Sequence, residues 1–223
     1  FAAFMQPEFT HERLGEVPFH ALIYQSYLNI NGCNAIAPRK PMSSQELYFD
    51  DAEGEGPGSD IYTKGAWVLR SLQYVIGPDA FWRAIRRLIY ATPQPQTLEA
   101  PIQVRYRSTD EFVAIVSEEA GTDLSWFFDV YVRRGPLPRL DITSTDSAVV
   151  LSWQDVAGLD FPMPVPALIE GEIRRVEFAE NRATIDDISS DALRIDPSMQ
   201  ILRKLPSVPT CAERRAETDP PPR

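Results

Sequence analysis

Residues that bind metals or cross-link small domains are scarce in this sequence. Its 223 residues include two cysteines, Cys33 and Cys211, and two histidines, His11 and His20. The cysteines lie far apart, so they indicate neither a disulfide framework nor the close spacing of a metal site. A His-Glu-x-x-His zinc helix requires its second histidine four residues after the first, and Gly15 occupies that position. We therefore expect no metal or cofactor site within this chain.

Basic residues and long apolar runs are scarce as well. The chain has 22 lysines and arginines against 32 aspartates and glutamates, and its formal net charge is −10. Nucleic-acid phosphates require a basic patch, and a negative surface is repelled by anionic lipids, so this balance argues against both partners. No apolar run approaches the roughly 20 residues that a bilayer-spanning helix needs. The composition, 43% hydrophobic and 24% charged, is ordinary for a globular protein.

The motifs of several enzyme classes are absent too. We find no G-x-S-x-G nucleophile elbow, no P-loop and no dinucleotide-binding glycine pattern. An acidic stretch over residues 50–55 lacks the ligand spacing of a calcium loop, and we interpret it as part of a solvated loop. Composition and motifs alone reveal no active site.

The first 135 residues have the spacing of amphipathic helices. Residues 1–31 carry apolar side chains three and four positions apart, and a loop containing Pro and Gly covers residues 32–59. Asp60 is the predicted N-cap of the next helix, so Tyr62 lies in the first turn of that helix. The helix is expected to end at Gly77. Three further helices are expected, from Pro78 to residue 90, from Ser108 or Thr109 to Gly121, and over residues 123–135.

After Pro138 the apolar pattern changes to alternation with period two. Six short β-rich runs separated by turn residues predict a small antiparallel β-sandwich. They cover residues 139–143, 148–153, 164–171, 174–180, 182–186 and 192–196. The expected fold class is therefore α+β and multidomain. The predicted parts are a helical domain over residues 1–136, a β-sandwich over residues 137–206 and a polar, Pro-rich disordered tail over residues 207–223.

Tyr62 and Lys64 stand out at the start of the predicted helix after Asp60. A tyrosine in the first turn of an amphipathic helix is usually a core or boundary residue with its hydroxyl at the rim. A lysine there opposes the helix dipole, so we expect Lys64 to have a carboxylate partner. From spacing alone, both a packing role and a catalytic role for Tyr62 stay open.

Two segments resemble the aminopeptidase N family of zinc metallopeptidases, the gluzincins. That family has a Tyr-x-Lys-Gly-Ala helix followed by a turn and a Phe-Trp helix, and similar residues stand here in "IYTKGAWVLRSLQYVIGPDAFWRAIRRLIY". Its Thr-x-Asp-x-Phe helix and Leu-Ser-Trp-Phe-Phe segment resemble "STDEFVAIVSEEAGTDLSWFFDVYVRRGPLPRLDI". The opening "FAAFMQPEF" is similar to the residues that follow the third zinc ligand of the family. The resemblance covers residues 1–141, and the β-rich remainder is similar to the small sandwich that follows the catalytic domain.

This resemblance implies both a fold and an activity. The chain would be the helical rear part of a gluzincin catalytic domain followed by a small antiparallel β-sandwich. The His-Glu-x-x-His motif and the third-ligand Glu would lie upstream of Phe1, so the chain would be a C-terminal fragment that binds no zinc and is inactive alone. The parent would be a zinc-dependent aminopeptidase that removes N-terminal residues from peptides. Tyr62 matches the family tyrosine whose hydroxyl stabilises the tetrahedral intermediate.

Two further expectations follow from the resemblance. The alternative function is that of a metal-free superfamily member serving as a scaffold or protein-interaction module, although retention of Tyr62 favours the enzyme. The upstream sequence would distinguish the two. We also expect the chain to self-associate as a homodimer, because the missing part of the catalytic domain would otherwise cover an apolar flank that includes Phe1, Phe4, Phe9 and the Tyr62 helix.

Overall fold

The fold is taken from a computed structural model, which describes residues 1–37, 43, 45, 56–92, 94, 106–145, 147–211 and 213. Within these ranges six helices precede six strands. The helices are α1 (Ala2–Leu14), α2 (Glu16–Leu28), α3 (Thr63–Ile76), α4 (Pro78–Tyr90), α5 (Thr109–Ala120) and α6 (Ser125–Tyr131). The strands are β1 (Arg139–Ser144), β2 (Ala148–Gln154), β3 (Val165–Ile169), β4 (Glu172–Val176), β5 (Arg182–Asp186) and β6 (Leu193–Ile195). No helix in the described ranges is long and apolar enough to cross a membrane.

The helix ends follow local sequence signals. Gly15, with φ of 84°, separates α1 from α2 within the region predicted to be helical. Ser108 caps α5, and Gly121 ends it in the left-handed conformation, as predicted. Helix α6 is shorter than expected, because the chain after Tyr131 leaves the helix and its carbonyl groups bond to other segments instead. The predicted loop over residues 32–59 and its acidic stretch lie mostly outside the described residues.

The strands form two small antiparallel sheets, ordered β1-β2-β5 and β4-β3-β6. In β2 the side chains alternate, and Val149, Leu151 and Trp153 are buried. The α+β class and the antiparallel pairing confirm the prediction from period-two alternation. Strand β4 begins and ends earlier than expected, since Glu172 pairs with Ile169 across the turn at Gly171.

A common hydrophobic core joins the helices to the sheets. The Phe161 ring contacts the rings of Trp126 and Tyr131 in α6, with centroids 5.5 and 5.4 Å apart. The buried Tyr131 hydroxyl donates to the Leu202 carbonyl at 2.6 Å. Buried polar groups are usually paired in this way, because an unpaired group in a core is costly. The loop before β3 and the chain after β6 therefore pack on α6 through both apolar and polar contacts, while the proposed domain boundaries stay predictions.

The prediction that the cysteines form no disulfide is wrong. Cys33 and Cys211 are bonded, with their Cα atoms 5.1 Å apart and a sequence separation of 178. The chain returns along α2 before it reaches Cys211, since the Tyr27 hydroxyl donates to the Arg203 carbonyl at 2.8 Å and accepts from the Leu205 N–H at 2.9 Å. Most of the predicted disordered tail lies outside the described residues.

Candidate functional site

Tyr62 lies at the junction between a 3-10 turn, Gly58–Ile61, and helix α3. Its N–H donates to the Ser59 carbonyl at 3.0 Å, and its carbonyl accepts from the Ala66 N–H at 3.0 Å. The main chain of Tyr62 is therefore fixed by the turn before it and the helix after it. Its side chain is 55% exposed, so it is accessible to a ligand and is not part of the core.

Asp60 does not cap α3 as predicted. It is 1% exposed, and its two carboxylate oxygens accept hydrogen bonds from the main-chain N–H groups of Asn31 and Gly32, each at 2.7 Å. The 3-10 turn places Asp60 before the helix and directs its carboxylate towards the chain that follows α2. The N-cap position of α3 is Tyr62, whose side chain makes no capping hydrogen bond.

Lys64 is fully buried one helical turn after Asp60. Its Nζ donates to the main-chain carbonyls of Arg134 and Gly135, the second at 2.8 Å. Burial lowers the pKa of Lys64 to about 8, and the nearby charge of Asp60 acts in the opposite direction. The predicted carboxylate partner is thus present only as a neighbouring charge, since the hydrogen-bond acceptors of Lys64 are main-chain oxygens.

The position of Gly135, shortly after α6, leaves room only for a glycine. A Cβ atom on Gly135 would lie 2.1 Å from the Cys33 carbonyl oxygen and 2.8 Å from the Asn34 nitrogen. No larger residue fits without moving one of the two backbones. The segment after α2 and the segment after α6 therefore cross in close contact, next to the ammonium group of Lys64.

An apolar groove of about 270 Å³ lies beside the Tyr62 turn. Both Ile61, which precedes Tyr62, and Gly65, one turn later in α3, line it. The other walls come from α3, α4, α5 and α6 and from the chain next to α1, α5 and α6, and include Phe1, Val68, Leu88, Arg107, Phe112, Phe128 and Val132. Ile61 in the groove wall directly precedes Tyr62 in the chain, although Tyr62 itself does not line the groove.

The described residues do not fit a zinc site. His11 and His20 do line one cavity of about 490 Å³ together with Glu8 and Glu16. However, the described ranges contain no group of three or more His, Cys, Asp or Glu side chains close enough to hold a metal ion. His11 instead packs against Phe19, with ring centroids 4.8 Å apart.

Sequence reasoning predicted a site at Tyr62 but missed the arrangement around it. Asp60 and Lys64 stand two positions before and two after Tyr62, and both are buried although they are ionisable. From the sequence, Asp60 was predicted to be the N-cap, and Lys64 was expected to have a carboxylate partner that was not identified. Their burial was not visible, because it depends on segments that pack over them from distant parts of the chain.

Comparisons with known proteins support the fold. No protein-family profile and no curated protein matches this sequence. Among solved structures, the chain is similar to Legionella pneumophila aminopeptidase A, crystallised in complex with aspartic acid, with a TM-score of 0.61 and 16% sequence identity. The match covers 89% of this chain and 22% of that enzyme, so the chain spans about a fifth of its length. We conclude that the chain has an α+β, aminopeptidase-like fold.

Proposed function

We propose that this chain is part of a zinc-dependent aminopeptidase of the gluzincin type, which removes N-terminal residues from peptides. The observation that carries the proposal is the exposed side chain of Tyr62, held at the start of a buried helix in a fold shared with an aminopeptidase. In such an enzyme a bound zinc ion would supply Lewis-acid activation of the scissile carbonyl and of water. We assign no metal ligand to the described residues of this chain, and the proposed parent supplies the zinc ligands from elsewhere.

The role proposed for Tyr62 is to donate a hydrogen bond to the oxyanion of the tetrahedral intermediate. Its main chain is already fixed on both sides, so only the side-chain torsions of Tyr62 are left to be set when negative charge develops on the substrate oxygen. Removing one such donor typically costs roughly 2.7–4 kcal/mol of transition-state stabilisation. The adjacent apolar groove is a candidate position for a substrate side chain.

Tyr62→Phe in the complete protein tests this role. We expect kcat for an aminoacyl anilide to fall by about 10²–10³-fold while KM changes little, because the hydroxyl acts on the transition state and not on the bound substrate. Tyr24→Phe is the matched control, since Tyr24 is 48% exposed but lies on α2. An unchanged kcat in Tyr62→Phe would contradict the catalytic role of Tyr62 and leave it a packing role, whereas no aminopeptidase activity in the complete protein would favour the alternative function, a metal-free scaffold or interaction module.

A further inference from the structure

Four hydrogen bonds tie the segment after α2 to the turn that precedes Tyr62. Two are the N–H bonds from Asn31 and Gly32 to the Asp60 carboxylate, each 2.7 Å long. The Asn31 side chain donates to the Ser59 hydroxyl at 3.1 Å, and the Asn34 side chain donates to the Gly56 carbonyl at 2.7 Å. We call residues 31–34 the anchor segment, because they donate hydrogen bonds to Ser59 and Asp60 in the turn and to Gly56 just before it.

The anchor segment is itself held from two other directions. Cys33 is bonded to Cys211, which ties the segment to the C-terminal part of the chain. The Cys33 carbonyl also packs against Gly135, whose own carbonyl accepts from Lys64 at 2.8 Å. The segment therefore has a defined position that does not depend on the Tyr62 turn alone.

Burying both Asp60 and Lys64 is costly, since charged groups lose hydration unless hydrogen bonds replace it. A surface turn before a helix can form without this cost, for example with an exposed serine or aspartate as N-cap. Hydrogen bonds to an ionised group are shorter and stronger than neutral ones, so two such bonds on one carboxylate define the geometry of a turn closely. The buried Asp60 carboxylate therefore defines the geometry of the turn before Tyr62 more closely than an exposed N-cap would.

We propose that Asp60 is a positioning residue, which fixes the turn carrying Tyr62 against the anchor segment and thereby sets the location of the Tyr62 hydroxyl. This inference rests on the proposed function of Tyr62. Asp60 itself is buried beneath the turn, and its carboxylate accepts from main-chain N–H groups of the anchor segment. A misplacement of about 1 Å in a catalytic group can cost as much as 10²-fold in rate, so the turn geometry has kinetic consequences.

The test is a double-mutant cycle between Asp60→Asn and Tyr62→Phe in the complete protein. Asn has the same shape but can accept only one of the two N–H bonds. We expect Asp60→Asn to lower kcat by about tenfold with little change in KM, and to have almost no effect on kcat when it is combined with Tyr62→Phe. Asp79→Asn is the control, because Asp79 is an exposed acid in the first turn of α4.

Each outcome decides the question. Equal losses in the wild-type and Tyr62→Phe backgrounds, or no loss in either, would overturn the positioning role. If Tyr62→Phe itself leaves kcat unchanged, the catalytic role proposed for Tyr62 fails, and the positioning role is read from NMR of ring-labelled tyrosine. Asp60→Asn should then increase the motion of the Tyr62 ring, and an unchanged ring would overturn it.

A second variant covers the case in which Asp60→Asn does not fold. Ser59→Ala removes only the exposed bond between the Ser59 hydroxyl and the Asn31 side chain. We expect a smaller fall in kcat, about threefold, again confined to the background that retains Tyr62. A fall of equal size in the Tyr62→Phe background would contradict the inference.

Discussion

Lys64 is a buried cation in the first turn of a helix, a position where the helix dipole opposes positive charge. Two main-chain carbonyls compensate for the lost hydration, and the Asp60 carboxylate lies nearby. The compensation is incomplete, because desolvation lowers the pKa of Lys64 from 10.5 to about 8. At the scale of single residues, the burial of Lys64 therefore lowers the free energy of unfolding by an amount that depends on pH.

The Lys64 pKa predicts how stability varies with pH. Between pH 8 and 10.5 the unfolded chain binds more protons than the folded chain, so this residue makes the free energy of unfolding rise with pH. Below pH 8 both states are charged and the full cost of burial is present. From pH 8 to 10.5 the free energy of unfolding of the wild type should rise by on the order of 3 kcal/mol relative to that of Lys64→Met. Urea unfolding at each pH measures this difference. Parallel curves for the two proteins would contradict the prediction.

At the scale of single elements, α5 has the most complete local signal in the chain. The Ser108 hydroxyl accepts from the Glu111 N–H at 3.1 Å, and the Glu111 carboxylate accepts from the Ser108 N–H at 2.8 Å. This reciprocal pair is a capping box. The Ser108 N–H bond lowers the pKa of Glu111, because it stabilises the charged carboxylate. Two main-chain N–H groups at the helix start are satisfied without any distant segment.

Replacing Ser108 with Ala should therefore weaken α5 specifically. We expect the free energy of unfolding to fall by about 1 kcal/mol, because one main-chain N–H loses its acceptor. Ser189→Ala is a matched control, since Ser189 holds the N-cap position of the 3-10 turn Ser190–Ala192 but makes no capping hydrogen bond. The free energy of unfolding of both variants is measured by thermal unfolding. Equal decreases would mean that the capping box stabilises the protein no more than a serine without a capping hydrogen bond.

At the scale of the whole molecule, α1 and α2 present apolar side chains to solvent. Phe1, Met5 and Phe9 recur every four residues at the start of the chain and along α1, and they are 45–60% exposed. Helix α2 adds a second exposed set, which comprises Val17, Tyr24 and Leu28. The expectation that Phe4 belongs to this flank is wrong. It is 2% exposed and packs against Phe81 and Trp82 with centroids 5.3 and 6.2 Å away.

We propose that this exposed face makes the isolated chain self-associate as a homodimer. Contiguous apolar patches larger than a few hundred Å² are rare on monomers, and a two-fold contact between copies is the simplest way to bury one. The net charge of −10 opposes association, but salt screens it over about 8 Å. Light scattering coupled to gel filtration should give twice the mass of the chain. Phe9→Asp should lower this mass towards that of a monomer, whereas Glu12→Gln on the same helix should leave it unchanged. A monomer at high concentration would contradict the proposal.

The sequence by itself determined those features whose causes lie within one helix or one strand pair. The cap at Ser108, the stop at Gly121 and the alternation in β2 were all predictable, because their hydrogen bonds and burial follow from neighbours a few residues away. The catalytic role of Tyr62 is a prediction from a family resemblance, whereas its accessibility came from the structure.

Only the tertiary structure decided what Asp60, Lys64 and the two cysteines do. Asp60 could have capped α3, but the N–H groups of Asn31 and Gly32 compete for the same carboxylate, and they reach it only when α2 and α3 pack together. The carbonyls that accept from Lys64 are about 70 residues away in sequence, and Cys211 is 178 positions from Cys33. Sequence patterns report local periodicity, whereas the partner of a buried polar group is chosen by which distant segments the shared core brings into contact.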